Sequence, residues 1–404
     1  MDKFYLVLHS DVFLFRKEKQ ILFYRMHSPK IILNICIGWE SAYSQWEDVN
    51  NLYCAELDSK LLENKEFRSD VQLLVTSEMA QLLPVGESSS RPISIPPVLS
   101  VQRSKVKFKE REDILQAEDF SRYLQKIVIY LNGEPNIAET RHKQFTYIWE
   151  RANDELKIDT LKCILRQLKG MKIHHLTFSG YNVFEYEYWQ QCIAEIDVLN
   201  AQKEFYVDCS QLIKNMDVAR RVNSEQFVFT ILVDNKHPFV LSLLDKLEGV
   251  HVNWLFLITS EDEYTGASDL IENYSLRNAV IKPVYDNNLS FFENHIYLTS
   301  EDLLELNLSK KEIFIHQSIN VSDFGQLNII PNGTVYSNLS NKKIGNVNKE
   351  SLNSMIADEI CTGHSWLRIR DQKPCCDCIY QWLCPSPSNY ELAIGKPNLC
   401  HVKP

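Results

Sequence analysis

The chain has 404 residues, a net charge of −10 and a hydrophobic content of 45%, which is enough for two or three packed domains. The acidic balance excludes a general nucleic-acid binder, because there is no basic surplus to displace phosphate counterions. No stretch reaches about 18 uninterrupted apolar residues, so no membrane span is expected. The apolar N-terminus is too short for a secretory signal, and a cytoplasmic protein is therefore expected.

The first 125 residues predict a small domain and a linker. Residues 1–83 read as a small α+β domain, winged-helix-like, with three strands and a few helices. Its clearest element is a hairpin in which "VFLF" and "ILFYRM" flank the charged turn "RKEKQ". Residues 84–125 begin with "PVGESSSRPISIPP", which is rich in Pro, Gly and Ser without periodicity and is typical of a linker.

Residues 126–300 alternate six apolar strand segments with helical segments, which predicts a parallel α/β sheet. Six units suit either a partial (β/α)6 TIM-like barrel or an open doubly wound sheet. Helical spacing over 142–170 predicts one long helix that ends at Gly170. After about residue 300 the alternation stops. The segment 324–347 then predicts a hairpin around Pro-Asn-Gly, and 349–358 a helix.

The last 44 residues hold six of the eleven cysteines. Cys375 and Cys378 have C-x2-C spacing, Cys384 follows after five residues, and Cys400 after fifteen more. Four thiolates suffice for a [4Fe–4S] cluster or an all-cysteine zinc site, and the spacing alone does not choose between them. Cys361, with His364 three residues on, is a possible substitute ligand, as are Cys376 and His401. The alternative is a set of free thiols.

C-x2-C-x5-C with a distant final cysteine, downstream of six β/α units, resembles the SPASM domain of radical SAM peptide maturases. The tail "CDCIYQWLCPSPSNYELAIGKPNLCH" is similar to a narrower group, the pseudo-radical-SAM proteins of Bacteroidales systems that mature ribosomally synthesised peptides (RiPPs) with a Gly-Gly leader. The resemblance covers about residues 126–404. It implies a degenerate radical SAM-type partial barrel over 126–300, and a SPASM-like domain over 301–404 with one [4Fe–4S] cluster on Cys375, Cys378, Cys384 and Cys400.

The chain also departs from that family. The family's C-x3-C-x2-C motif belongs in the loop after the first barrel strand, which here reads "NGEPNIAETRHKQFTY" (132–147) and contains no cysteine. Neither S-adenosylmethionine binding nor radical SAM activity is therefore expected. "TRHKQ" brings positive charge to that loop, either to contact an anionic group or to fill space. Ser388 and Ser337 stand at two further positions where the family carries cysteines.

These features predict a catalytically degenerate protein in the maturation of a ribosomal peptide. Its N-terminal domain would recognise the precursor's leader as an added strand, and an active radical SAM/SPASM maturase would be a partner. The cluster would be structural or would relay electrons. The alternative is a peptide-modifying enzyme of another class, transferase-like, with a structural zinc in the tail. A deep pocket at the barrel mouth with convergent polar groups and perturbed pKa values would favour the enzyme. A filled mouth with an open sheet edge would favour binding.

Overall fold

The computed structural model describes residues 3–86, 90–97, 120–136, 140–222, 226–362 and 365–402. Most of the predicted linker, residues 87–89 and 98–119, lies outside the described residues, as does His364. The strands are β1 (Lys3–Leu8), β2 (Phe13–Lys17), β3 (Gln20–Tyr24), β4 (Ile31–Asn34), β5 (Cys54–Asp58), β6 (Ala80–Pro84), β7 (Lys126–Tyr130), β8 (Asn132–Glu134), β9 (Glu150–Glu155), β10 (His175–Ser179), β11 (Gln202–Asp208), β12 (Phe227–Val233), β13 (Val252–Ile258), β14 (Ala279–Pro283), β15 (Gln326–Ile329), β16 (Thr334–Tyr336) and β17 (Gly345–Asn346).

The helices are shorter than the sequence periodicity suggests, and within the described ranges none is long and apolar enough to cross a membrane. They are α1 (Ile37–Glu47), α2 (Lys65–Thr76), α3 (Arg141–Gln144), α4 (Ile158–Leu168), α5 (Trp189–Asp197), α6 (Cys209–Lys214), α7 (Met216–Arg221), α8 (Glu261–Asn273), α9 (Leu289–His295), α10 (Ser300–Glu305), α11 (Lys310–Ser318), α12 (Leu352–Thr362) and α13 (Asn389–Ile394).

The N-terminal region contains two antiparallel three-stranded sheets, β5-β1-β6 and β2-β3-β4. The predicted hairpin is confirmed as β2 and β3. The prediction of three strands was too low, because β5 and β6 lie far from β1 in sequence and become strands by pairing with it. Helices α1 and α2 pack through aromatic side chains, with the rings of Trp39 and Phe67 4.8 Å apart.

Among the described residues, the largest sheet runs in the order β14-β13-β12-β11-β10-β7-β15-β16-β17. Its six strands from β7 to β14 are parallel, and they neighbour one another in chain order. This confirms the parallel α/β prediction. A doubly wound sheet reverses its strand order at a switch point. Here the six strands from β7 to β14 run in chain order, and β15 joins the other side of β7 in parallel.

The connecting helices pack on one face of this sheet. Alternate residues of the strands, such as Ile127, Phe205 and Phe256, share a core with residues of α4 and α5. The other face carries side chains such as Tyr130 and Leu255, which belong to separate apolar clusters. Helices cover one face of the sheet, and separate apolar clusters cover the other.

The single helix predicted over 142–170 was wrong. The chain forms the short α3, an extended segment at 145–149, then β9 and α4. Two tertiary contacts override the helical periodicity: β9 pairs with β8, and the aromatic residues of 145–149 pack on the sheet interior. The predicted hairpin is confirmed as β15 and β16, with Gly333 at φ +81° in its turn. The predicted helix at 349–358 corresponds to α12.

Candidate functional site

Cys375, Cys378, Cys384 and Cys400 line one pocket near the C-terminus. Cys375 begins a 3-10 turn, and its carbonyl accepts a hydrogen bond from the Cys378 amide at 3.1 Å. Cys384 closes the following turn, where its amide donates to the Tyr380 carbonyl at 3.1 Å. Cys400 arrives on a separate extended segment that forms a bridge with Leu298. Two distant pieces of chain therefore bring four thiols together.

The three alternative ligands do not line this pocket. Cys376 points towards Asp377, with its Sγ 3.4 Å from Oδ1. The His401 ring lies with Nε2 2.7 Å from the Glu293 carbonyl oxygen. Cys361 lies in the last turn of α12. The structure thus separates the four primary cysteines from their proposed substitutes, while their assignment as metal ligands stays a prediction.

A buried arginine borders the thiols. Arg370 donates from Nη1 to the Sγ of Cys375 at 3.6 Å and from Nη2 to Glu391 at 2.9 Å. The Arg370 and Glu391 side chains are 8% and 4% exposed. Burial raises the pKa of Cys384 to about 12 and also raises the pKa values of Cys375 and Cys378. Arg370 opposes this rise at Cys375 and Cys384, and bound metal would displace the protons outright.

The residue types of this donor set suit either a zinc ion or an iron–sulfur cluster. Within the described residues, no group of three or more His, Cys, Asp or Glu side chains is arranged to hold one metal ion. A tetrahedral zinc would need its four sulfurs only about 3.8 Å apart, since each Zn–S bond is about 2.3 Å. A [4Fe–4S] cluster spreads its four thiolates over four irons and holds them further apart. The four cysteines that line the pocket are the donor set that either group would use.

A second polar group lies where the parallel strands end. Asp234 directly follows β12, and Asp286 follows β14. Arg141 joins them, with Nη1 3.2 Å from Asp234 Oδ2 and Nη2 2.6 Å from Asp286 Oδ2. Tyr147 donates its hydroxyl to Asp234, and the His237 Nδ1 lies 2.9 Å from the other carboxylate oxygen. Positive charge from the "TRHKQ" segment is thus matched by two carboxylates of the same chain.

We call these residues the mouth cluster (Arg141, Tyr147, Asp234, His237 and Asp286). Their charges and hydrogen bonds are directed at one another. Burial alone would raise the pKa of Asp234, but the hydrogen bonds from His237 and Tyr147 lower it to about 2. Burial and the neighbouring Asp234 carboxylate raise the pKa of Tyr147. Both side chains are therefore held in their ordinary charge states at neutral pH. Neither is poised to exchange a proton with a substrate.

The sheet interior beneath this cluster is packed. Tyr147 and Ile148 lie in an apolar cluster with Leu232, Leu255 and Val284. Next to it, the rings of Tyr130 and Trp149 are stacked 3.8 Å apart. Residues 145–149 therefore occupy the interior face of the sheet. They belong to the region in which the sequence resemblance would have placed a cysteine-bound cluster.

The two serines that stand at family cysteine positions have hydrogen-bonding roles away from the thiol pocket. Ser337 is buried and donates its hydroxyl to the Ser365 hydroxyl at 3.0 Å. Ser388 caps α13 in a reciprocal capping box with Glu391. That glutamate also pairs with Arg370. The Ser388 cap therefore helps to orient the guanidinium beside Cys375.

A third feature is a groove of about 290 Å³ along β2, here called the β2 groove. Among the described residues, strand β2 is an edge strand that pairs only with β3. Across the described part of the chain, the backbone of β2 makes no backbone hydrogen bond apart from those of its pairing with β3. The groove is mainly apolar, and Glu47 is its one charged lining residue among those described. Its lining residues are Phe13, Leu14, Phe15, Tyr43, Trp46, Glu47, Tyr53, Pro96, Pro97, Gln317 and Trp382.

No family model and no curated protein matches this chain. The solved structure of Streptococcus suis SuiB bound to precursor peptide SuiA is 13% identical, covering 98% of this chain and 99% of that one, with a TM-score of 0.48. SuiB bound to S-adenosylmethionine is 11% identical over 98% and 99% of the two chains, with a TM-score of 0.45. The structure of anSMEcpe with AdoMet and the Cp18Cys peptide is 11% identical over 67% and 95%, with a TM-score of 0.40. Likenesses of this size do not carry a function over to this chain.

Sequence reasoning did not find three of these features. Arg370 precedes the cysteines by only a few residues, but its contact with Cys375 depends on its pairing with Glu391. The mouth cluster joins residues more than eighty positions apart. The β2 groove joins α1, β2 and Trp382 of the tail. Of these three features, only the mouth cluster had a local signal in the sequence, the positive charge of "TRHKQ". That signal did not indicate which groups the charge would contact.

Proposed function

We propose that this protein is a catalytically degenerate relative of radical SAM/SPASM maturases that binds a ribosomally made precursor peptide. It would hold one [4Fe–4S] cluster on Cys375, Cys378, Cys384 and Cys400. It would act in the cytoplasm beside an active maturase, as a scaffold or as an electron relay. The observation that carries the proposal is the β2 groove, in which a strand edge that is unpaired among the described residues lies beside an apolar cleft.

An extended peptide is the occupant whose chemistry matches this groove. Only a strand-like backbone can satisfy the unpaired amide and carbonyl groups along an exposed sheet edge. The aromatic lining would accept apolar side chains of the peptide, and Glu47 would disfavour an acidic residue beside it. Main-chain bonds would supply affinity, and the side-chain pockets would supply register and selectivity.

The filled barrel mouth supports degeneracy. An enzyme of another class that reused the barrel would need a pocket with convergent, unmatched polar groups. Instead, the charges of Arg141, Asp234 and Asp286 pair with one another, and Tyr147 and Ile148 occupy the interior. The transferase-like alternative therefore gains no support from the mouth cluster.

The cluster, when bound, would supply one-electron transfer and would stabilise the loop-rich tail by cross-linking it. The chain's own contribution would be to gather four thiols from two segments and to bring the Arg370 guanidinium near their negative charge. All four ligands would be cysteines. No coordination position would then remain for a substrate, which favours a structural or electron-transfer role.

The test of peptide binding starts from a library of randomised linear peptides, selected on the anaerobically purified protein. The selected peptide is then titrated against Gln317→Tyr, which adds a bulky side chain inside the β2 groove. The matched control is Lys311→Tyr, which adds the same side chain to an exposed position of the same helix, α11. We expect the affinity to fall at least tenfold in Gln317→Tyr and to be unchanged in Lys311→Tyr. Equal affinities in both variants would place the peptide elsewhere and contradict the proposal.

Degeneracy is tested separately. The reconstituted protein is incubated with S-adenosylmethionine and dithionite, and 5′-deoxyadenosine is measured by chromatography. We expect none above the protein-free background. Turnover to 5′-deoxyadenosine would contradict the degenerate assignment, whatever the peptide experiment gives.

A further inference from the structure

The five residues between two candidate ligands, Cys378 and Cys384, do not project into solvent. Ile379, Tyr380 and Leu383 are buried at 8%, 8% and 0% exposure. They pack in one apolar cluster with Phe13 and Phe15 of β2, as do Cys378 and Cys384 themselves. The C-x5-C loop is therefore part of the interface between the tail and the N-terminal sheets.

The same loop forms part of the β2 groove. Trp382 lies between the two candidate ligands in sequence and lines the groove together with Phe13 and Phe15. Its carbonyl oxygen lies 3.2 Å from the His316 Nδ1, on the helix that also brings Gln317 to the groove. One short loop thus borders the thiol pocket on one side and the proposed peptide site on the other.

Polar contacts join the same regions. Lys17, at the end of β2, donates its Nζ to the Gln381 side-chain oxygen at 2.8 Å and to the Cys376 carbonyl. Gln381 in turn donates to the Arg370 carbonyl at 2.7 Å. Arg370 is the residue whose guanidinium contacts Cys375. The chain of contacts runs from the β2 edge to the thiols without leaving the described residues.

Because the C-x5-C loop borders both the thiol pocket and the β2 groove, we propose that loading of the cysteine site and peptide binding in the groove are thermodynamically coupled. The inference rests on the proposed function. A cluster that ties Cys378 and Cys384 fixes both ends of the C-x5-C loop, and with it the position of Trp382. In the loaded protein the groove is already formed before the peptide binds. In the unloaded protein, peptide binding must also order the loop, and this free-energy cost lowers the peptide affinity.

Linkage makes the effect reciprocal. If loading raises the peptide affinity by a given factor, bound peptide raises the affinity for the cluster by the same factor. Lys17 is a positioning residue in this scheme, because it joins β2 to the loop without lining the thiol pocket. Its removal should weaken the coupling while each site keeps its own ligand.

The experiment measures the dissociation constant of the library-selected peptide for cluster-loaded protein and for protein stripped with an iron chelator. It also measures the rate of cluster loss to the chelator with and without saturating peptide, by absorbance. We expect loaded protein to bind about tenfold tighter, corresponding to about 1.4 kcal/mol. We also expect peptide to slow cluster loss. This second measurement starts from loaded protein and needs no stable stripped form.

The variants are Lys17→Met and the control Lys19→Met, an exposed lysine of the same hairpin. Coupling should fall several-fold in Lys17→Met and stay at the wild-type value in Lys19→Met. Equal peptide affinity with and without the cluster, together with unchanged cluster loss, would overturn the coupling and leave peptide binding intact. Absence of peptide binding in both forms would instead overturn the proposed function itself.

Discussion

The mouth cluster and the thiol pocket are both places where polar side chains from distant parts of the chain converge, but their groups are matched differently. At the mouth, Arg141 is matched by Asp234 and Asp286, and Asp234 is matched again by Tyr147 and His237. In the thiol pocket, four cysteines line one cavity, and the Arg370 guanidinium contacts Cys375. The comparison teaches that a self-matched network stabilises the fold, whereas a gathered set of thiols is suited to a group from outside.

The largest effect is expected in the thiol pocket. Cys384→Ser should reduce iron from about four per chain to near zero, because a serine hydroxyl is a poor substitute for a buried thiolate ligand. Iron, sulfide and zinc are measured on anaerobically purified protein, with an absorption spectrum before and after dithionite. Cys376→Ser, at the neighbouring cysteine that points away from the pocket, should keep the wild-type content.

Two outcomes would change that picture. Equal iron loss in Cys376→Ser would show that the pocket geometry does not identify the ligands. One zinc per wild-type chain with no bleachable band would make the tail a zinc staple and remove the electron-relay role.

The next largest effect is expected at the mouth. Asp234→Asn leaves Arg141 and His237 without a buried carboxylate, and should lower the free energy of unfolding by about 3 kcal/mol in urea titrations. Asp286→Asn removes the other partner of Arg141, but its side chain is 45% exposed. That change should cost only about 0–1 kcal/mol. Similar small losses in both variants would mean that the mouth network does not stabilise the fold.

The pH dependence sharpens the same comparison. The folded-state pKa of Asp234 is about 2, below its unfolded value of about 3.9. Its stabilisation is therefore fully present above about pH 4 and is lost as the pH falls towards about 2. Unfolding free energies of wild type and Asp234→Asn should converge over this range by about 2 kcal/mol. A difference that stays constant from pH 6 to pH 3 would contradict the lowered pKa.

Among the buried members of the mouth cluster, the smallest effect is expected for Tyr147→Phe. This change keeps the ring that fills the sheet interior and removes only the hydroxyl that donates to Asp234. The free energy of unfolding should fall by about 1 kcal/mol. If the free energy of unfolding fell as much as in Asp234→Asn, the Tyr147 hydroxyl, rather than the ion pair with Arg141, would be the main stabilising contact of Asp234.

The parallel α/β segment was predictable from the sequence because its strands are continuous apolar runs, such as "FVFTILVD", that alternate with helical spacing. The β2–β3 hairpin and the β15–β16 hairpin were predictable for a similar local reason. The segment 142–157 was not, because its apolar residues fit a helix equally well. Its extended form depends on the space inside the sheet and on the pairing of β9 with β8.

The sequence by itself determined the chemistry available to this protein: six cysteines in the last 44 residues, no cysteine in the loop after β7, and six β/α units. Residue type and spacing along the chain are enough for such statements. Only the tertiary structure decided that Arg141 meets two carboxylates, that Arg370 meets Cys375, and that the C-x5-C loop packs on β2. These contacts join residues far apart in sequence, and their formation depends on the packing of whole elements rather than on local preference.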